Sequence, residues 1–303
     1  MADQFELFFV QRFKGKVLFG VPMRDYTSFR IGGPADVMAF PEGEADLREL
    51  LTFAAAKNFP VFFLGGGTNL LVRDAGIRGI VVNLTEGFED VEWAEGFAAT
   101  AGAGVKLQEL VRECAERGFG GLEFAVGIPG TLGGAVVMNA GAYGNEMKDV
   151  VEGVEVMTPK GKKGFLSKSE LGFGYRSSKL QPDTAIMRVH LKFSAGDSKA
   201  VKKKMDEVRG KRAEKGAIGL PSAGCVFKNP VSGDGAGKLI DEAGLKGMRS
   251  GGAVISERHA NYIVNAGEAT ARDVLALMAI IRDKVFSTRG VVLEPEIKVV
   301  GED

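Results

Sequence analysis

The chain has 303 residues, 45% apolar and 26% charged, enough for two or three compact domains of ordinary globular composition. Thirty-nine basic residues balance thirty-nine acidic ones, which argues against a nucleic-acid or anionic-membrane surface. Two cysteines (Cys114, Cys225) and two histidines (His190, His259) are too few for a disulfide framework or a zinc-like cluster, and no stretch reads as a signal peptide or membrane span. These features predict a cytoplasmic, metal-free protein. Glycine is the anomaly: its 43 residues are about twice the usual share of roughly 7%, and they gather in a few places.

Residues 1–20 open with a Phe-rich segment (Phe5, Leu7, Phe8, Phe9, Phe13), read as a short helix packed on the body. Residues 27–34 turn into a strand at 36–40. Leu47, Leu50, Leu51 and Ala54 recur at i, i+3, i+4 and i+7 and predict a helix that ends by Pro60. Residues 61–64 form a short buried strand. It feeds into Gly65-Gly66-Gly67-Thr68-Asn69, where successive amides brought to one point suit a diphosphate. The turn is not a dinucleotide fingerprint, because position 70 is Leu.

Strands are expected at 79–84 and 98–103, then a helix at 106–117 whose inner face (Leu107, Leu110, Val111, Cys114) makes Cys114 a core residue. The glycine-dense stretch 120–145 follows. Glycine at that density weakens helix and strand alike but permits close backbone approach to an anion. Tight packing between sheets explains this stretch equally well when it is read alone. A strand at 150–157, a turn at Pro159-Lys160-Gly161 and an alternating strand at 185–193 come next.

The composition shifts at Gly196, where a domain boundary is expected before a basic helix at 198–216 with a sparse apolar stripe (Val201, Met205, Val208). Most of its lysines read as a solvated face. Residues 219–230 are loop or strand, 236–243 a short helix and 261–264 a strand. A Walker-like run at 233–238 fails, since Leu239 replaces the required Ser or Thr. Thr270 and Asp273 predict a capping box for a helix with Val274, Leu277, Met278 and Ile281 inside. A final strand at 291–300 would place Glu294 and Glu296 on one face. The fold class is α+β.

Read together, Ser28-Phe29-Arg30-Ile31-Gly32-Gly33, Gly65-Gly66-Gly67-Thr68-Asn69-Leu70-Leu71-Val72 and Gly127-Ile128-Pro129-Gly130-Thr131-Leu132-Gly133-Gly134 resemble the FAD-binding region of the vanillyl-alcohol-oxidase/PCMH-type flavoproteins. With Gly174-Tyr175-Arg176-Ser177-Ser178, Ala223-Gly224-Cys225-Val226-Phe227-Lys228-Asn229-Pro230, the segment 259–265 and Leu293-Glu294-Pro295-Glu296, the chain resembles the UDP-N-acetylenolpyruvoylglucosamine reductase family in order from about residue 21 to 300. The resemblance implies a two-part FAD-binding PCMH-type region plus a C-terminal α+β substrate-binding domain. Residues 1–80 and 81–195 would form the FAD subdomains, with 290–303 returning to the second, and 196–289 the substrate domain. It implies non-covalent FAD, NADPH as electron donor, and reduction of UDP-N-acetylglucosamine enolpyruvate to UDP-N-acetylmuramate in peptidoglycan precursor synthesis. Only residues 231–235 separate Pro230 from the helix that follows, so the chain resembles the short subtype without a tyrosine-loop insertion.

The same resemblance assigns roles. Arg176 would hold the substrate carboxylate where charge develops, Cys225 would protonate the substrate carbon where the family usually has Ser, and Glu296 would be the second essential acid. A thiol is the more acidic donor but the weaker hydrogen-bonder. Cofactor contacts are expected at Arg30, Gly65, Gly66, Gly67, Thr68, Asn69, Gly127, Gly130, Thr131, Gly133, Gly134 and Asn139. Substrate contacts are expected at Tyr175, Lys228, Asn229 and Arg212, with Arg209 a weaker candidate and His259 structural. The competing readings are an FAD-dependent oxidase of a hydroxy acid or sugar, and a non-catalytic nucleotide-sugar-binding protein.

Overall fold

The computed structural model describes residues 8–215 and 220–303, so Phe5, Leu7 and the stretch 216–219 of the expectations above lie outside the described residues. Two compact units are present. One takes the described residues up to Phe19, Asp36–Gly66 and Gly79–Gly210; the other takes Gly20–Ala35, Gly67–Arg78 and the described part of Lys211–Asp303. Packing therefore crosses the sequence division at residue 80, because two segments from the first eighty residues pack with the C-terminal region.

Two larger sheets lie wholly or mainly in the first unit. In one, the strand order is Lys16–Pro22, Pro34–Phe40, Ile77–Asn83 and Val61–Leu64, with the last two parallel. The short helix expected in the Phe-rich segment is seen at 8–11 among the described residues, and the strand from Lys16 follows it. The helix Glu44–Lys57 covers this sheet and ends on left-handed Asn58, whose N–H returns to Ala54 and Ala55. Its buried Asp46 accepts the amides of Lys14, Gly15 and Glu42 at 2.9, 2.9 and 3.1 Å, which ties the N-terminal chain down. Phe8, Phe9 and Phe13 join Leu47, Leu50, Ile80 and Val82 in one core.

The other sheet is antiparallel throughout, in the order Lys163–Ser167, Val151–Met157, Ala185–Lys192, Ala98–Gly102 and Val91–Ala94. The helix Leu107–Arg117 packs into its core as the apolar stripe requires, and Cys114 is buried there. Burial, helped by the charge of Glu113, pushes that thiol up to about 12, so it stays protonated. Within the glycine stretch lies a helix the sequence did not announce, Leu132–Val137, capped by the Thr131 side chain.

The second unit pairs Arg249–Ser250, Ala253–Ile255 and Ile263–Asn265 in one antiparallel sheet, and Leu70–Val72 with Lys298–Val300 in parallel. The helices Ala236–Glu242 and Ala271–Arg289 close its core with Phe29, Leu71 and Phe227. Thr270 and Asp273 form the expected capping box. Asp74 adds its carboxylate to the same helix start, accepting from Ala271 and Arg272 at 2.8 and 3.2 Å. The terminal strand is shorter than expected, beginning only at Lys298. Pro295 has no N–H to extend a ladder, and the amides of Glu296 and Ile297 both turn to one acceptor, Val226 O.

Glycines set the spacing of this unit. A Cβ on Gly33 would lie 2.1 Å from Asp74 O, and one on Gly76 1.8 Å from Pro34 O. Gly20 shares the positive φ of Gly76, but nothing lies within 4 Å of its hypothetical Cβ. Gly20→Ala is expected to cost about 1 kcal/mol, from the left-handed backbone alone. Gly76→Ala should cost roughly 3 kcal/mol more, because backbone must move. Urea unfolding of both variants checks this; equal losses would mean that close approach is not what glycine provides at 76.

Candidate active site

The strand Val61–Leu64 delivers Gly65 and Gly66 against the start of the helix Leu132–Val137. A Cβ on Gly65 would stand 2.4 Å from Thr131 Oγ1, and one on Gly66 2.8 Å from Gly130 Cα. Glycine is required at both for the two turns to touch. The amides beyond them are not all open to a ligand. Leu132 N donates to Val105 O at 2.8 Å and Gly133 N to Ala103 O at 2.9 Å, so buried Gly133 is a packing position. Gly127 N donates to Gln108 Oε1 at 2.7 Å, and Gln108 Nε2 donates to Ala125 O and Ile128 O at 2.8 and 2.7 Å. Gln108 thus clasps the whole turn. Sequence reasoning missed it because it sits one position off the apolar stripe. The backbones of Gly66, Gly127 and Gly134 are exposed.

Arg176 lies in the same unit on a two-residue turn, closed by Gly174 N to Ser177 O at 3.0 Å and Ser177 N to Gly174 O at 3.3 Å. It takes a left-handed φ of 54°, and its guanidinium stands 5.1 Å from the ring centre of Tyr175, which is 46% exposed. Asn139, expected at the cofactor, holds this turn instead. Fully buried, it donates to Gly174 O at 2.9 Å and to Glu146 Oε2 at 3.0 Å, and accepts from Lys148 N at 3.0 Å. Both amide hydrogens and the oxygen are engaged by protein.

In the second unit, Ser28 N donates to Gly67 O at 3.1 Å, bringing residues 27–30 to the third glycine of the turn; a Cβ on Gly67 would lie 2.0 Å from Tyr26 O. Arg30 is left-handed and exposed, and it lines one open depression with Arg24, Asp25 and Thr27. Asn265 Nδ2 holds the turn through Phe29 O and Arg30 O, each at 3.2 Å. Thr68 follows Gly67 half-buried. Asn69 reaches the C-terminal segment: its Nδ2 donates to Glu296 O at 3.2 Å and its carbonyl accepts Lys298 N at 2.9 Å.

Three distant segments meet at Val226. Its N–H donates to Asn261 O at 2.8 Å and its carbonyl accepts Glu296 N at 2.7 Å. The bridge of Cys225 to Tyr262 and that of Phe227 to Pro295 flank it. Cys225, half-buried, hydrogen-bonds the Tyr262 hydroxyl, which also feels the charges of Arg212 and Glu296. Burial first, and Cys225 next, push that hydroxyl up to about 12, while Arg212 pulls it down. Asn261, 3% exposed, accepts from Phe227 N at 3.0 Å and donates to Phe227 O at 2.8 Å, fixing the segment that carries the thiol.

The remaining expected contacts are partly committed. Lys228 Nζ is 3.4 Å from Glu294 Oε2, and Asn229 Oδ1 accepts Ala236 N at 3.0 Å, capping the helix there. Arg209 pairs with Asp206 on the exposed face of its own helix. His259 accepts Asn261 N at 3.2 Å and packs edge-on to Tyr262, in keeping with a structural role. Lys238 of the Walker-like run sits 2.8 Å from Asp234. Residues 231–235 are an exposed or half-buried link.

Comparison with known proteins bears on both units. The family described as "FAD binding domain" matches residues 35–163, and "UDP-N-acetylenolpyruvoylglucosamine reductase, C-terminal domain" matches residues 215–300. A UDP-N-acetylenolpyruvoylglucosamine reductase of Caldanaerobacter subterraneus is 47% identical over 290 residues, covering 95% of each chain. That of Alkaliphilus oremlandii is 45% identical over 288 residues, covering 95% of this chain and 94% of the relative. Among solved structures, the reductase of Thermus caldophilus superposes with a TM-score of 0.81 at 40% identity, covering 94% of this chain and 98% of that one. The chain belongs to the UDP-N-acetylenolpyruvoylglucosamine reductase family.

Proposed function

We propose that Arg176, Cys225 and Glu296 carry the family's reaction in this chain, with the glycine turns holding FAD. The activity is that of an FAD-dependent oxidoreductase reducing UDP-N-acetylglucosamine enolpyruvate to UDP-N-acetylmuramate, a step of peptidoglycan synthesis. We assign it to the cytoplasm, with NADPH as reductant and with cell shape and division depending on its product. No described helix is long and apolar enough to cross a membrane. The oxidase and non-catalytic readings are not favoured, since relatives bearing the reductase name match 95% of the chain.

The residues present fit FAD. Gly65 and Gly66 meet Thr131 and Gly130 at distances that any side chain would violate, leaving uncharged backbone suited to a diphosphate. Gly67, Thr68, Asn69 and Arg30 are the candidates in the second unit, where Ser28 N binds Gly67 O at 3.1 Å. Bound FAD would supply the two-electron chemistry between NADPH and the enolpyruvyl double bond.

Arg176 binds the substrate carboxylate, into which negative charge moves as the double bond is reduced. A planar, permanently charged fork is matched to that group, and such stabilisation is commonly the largest catalytic contribution. Its turn is pre-set by Asn139, so little reorganisation is needed. Cys225 then protonates the neighbouring carbon, and Glu296 is the acid from which a proton returns to sulfur. The observation that supports this pairing most directly is the single residue, Val226, whose carbonyl binds the amide of Glu296 beside Cys225. Arg212, Lys228, Asn229 and Tyr175 are assigned to the diphosphate and sugar in residues 196–289 and the turn at 174–177. Lys228 must exchange its contact with Glu294, an exposed pair worth at most about 1 kcal/mol.

Anaerobic reduction by NADPH followed by UDP-N-acetylglucosamine enolpyruvate tests the assignment. Rapid flavin reoxidation without oxygen is expected; reoxidation only with oxygen would point to an oxidase. Arg176→Ala should slow that reoxidation by roughly 100-fold or more. Cys225→Ser should retain substantial activity, whereas Cys225→Ala should slow reoxidation and not reduction by NADPH. Equal half-reaction rates in Cys225→Ala and the parent would remove the thiol from the mechanism.

A further inference from the structure

We infer that the Tyr262 hydroxyl is a positioning group for Cys225, donating a hydrogen bond to Sγ and holding the thiolate that remains once the thiol proton has gone to the substrate carbon. The inference rests on the reading of Cys225 as the acid. A thiol is a weak hydrogen-bond donor, so a cysteine in place of serine needs its orientation supplied from elsewhere. Tyr262 stands opposite it across an antiparallel bridge, and their side chains are hydrogen-bonded.

The Tyr262 backbone is pinned on both sides, its N–H donating to His259 O at 2.9 Å and its carbonyl accepting Ser256 N at 2.8 Å, and the His259 ring lies edge-on to the phenol at 5.0 Å. Asn261 clamps the thiol-bearing segment through both backbone groups of Phe227. The charged or titratable groups facing the pair are Arg212, Glu296 and His259. Burial keeps the phenol protonated through any working pH, so it acts as a fixed donor and not as a proton carrier.

The step balances without another reagent. The S–H bond of Cys225 breaks, its electron pair stays on sulfur, and the proton forms a C–H bond with the electron pair of the enolate that reduction leaves on the substrate. The Tyr262 proton stays on oxygen throughout, and sulfur regains a proton from Glu296 or water.

The pH dependence of iodoacetamide alkylation of the FAD-bound enzyme reads this pairing apart from turnover. Cys114 is buried and its thiol is pushed up to about 12, so the signal belongs to Cys225. Tyr262→Phe should move the alkylation profile up by roughly one pH unit or more. Site-specific 3,5-difluorotyrosine at 262, a stronger donor of nearly the same size, should move it down and serves if the Phe variant folds poorly. Tyr262→Phe should also slow substrate-driven flavin reoxidation by roughly tenfold, and should add no slowing in a Cys225→Ala background. Unmoved alkylation profiles, or the same slowing with and without Cys225, would overturn the inference. Reduced parent enzyme that the substrate fails to reoxidise would instead overturn the acid reading on which the inference rests.

Discussion

The second unit depends on the pair of backbone hydrogen bonds at Val226. One joins its amide to Asn261 and the other its carbonyl to Glu296, so segments about 35 and 70 residues away converge on one peptide. No side-chain preference could achieve this alone. Because both bonds run through backbone, they fix the chain at 226, 261 and 296 without drawing on side chains. Asn261, buried, both accepts from and donates to the Phe227 backbone, which holds the extended segment that carries Cys225 in place.

Glycine plays two roles that composition cannot separate. At 65 and 66 it lets one turn approach another, and at 76 and 33 it lets backbone cross backbone in the second unit. In each case the alternative is a collision, not a mild loss of propensity. Gly133 looks the same in sequence, yet its amide is satisfied by Ala103 and it packs as core. The glycine excess is therefore as much a matter of interior geometry as of ligand approach.

The polar residues around the site divide along a similar line. Asn139, Gln108, Asn261 and Asn265 each spend side-chain hydrogen bonds on backbone. Asn139 and Asn261 are buried as well, and a buried amide that is hydrogen-bonded is a stiff support. Asn139 holds the turn of Arg176 in the first unit, and Asn261 the segment of Cys225 in the second.

From its sequence alone this chain declared the α+β class, the helix at Glu44–Lys57 through its apolar period, the Thr270–Asp273 cap, the core position of Cys114 and the ordered family segments. All of these are local signals, read within a turn or two of chain. Tertiary structure alone decided that residues 20–35 and 67–78 pack with the C-terminal region. It also decided that the terminal strand shortens around Pro295, that a helix forms inside a glycine-dense stretch, and that Asn139 serves the Arg176 turn. It alone set Tyr262 against Cys225. Those outcomes hang on which distant carbonyl accepts which amide, and no periodicity in a single segment records its partner.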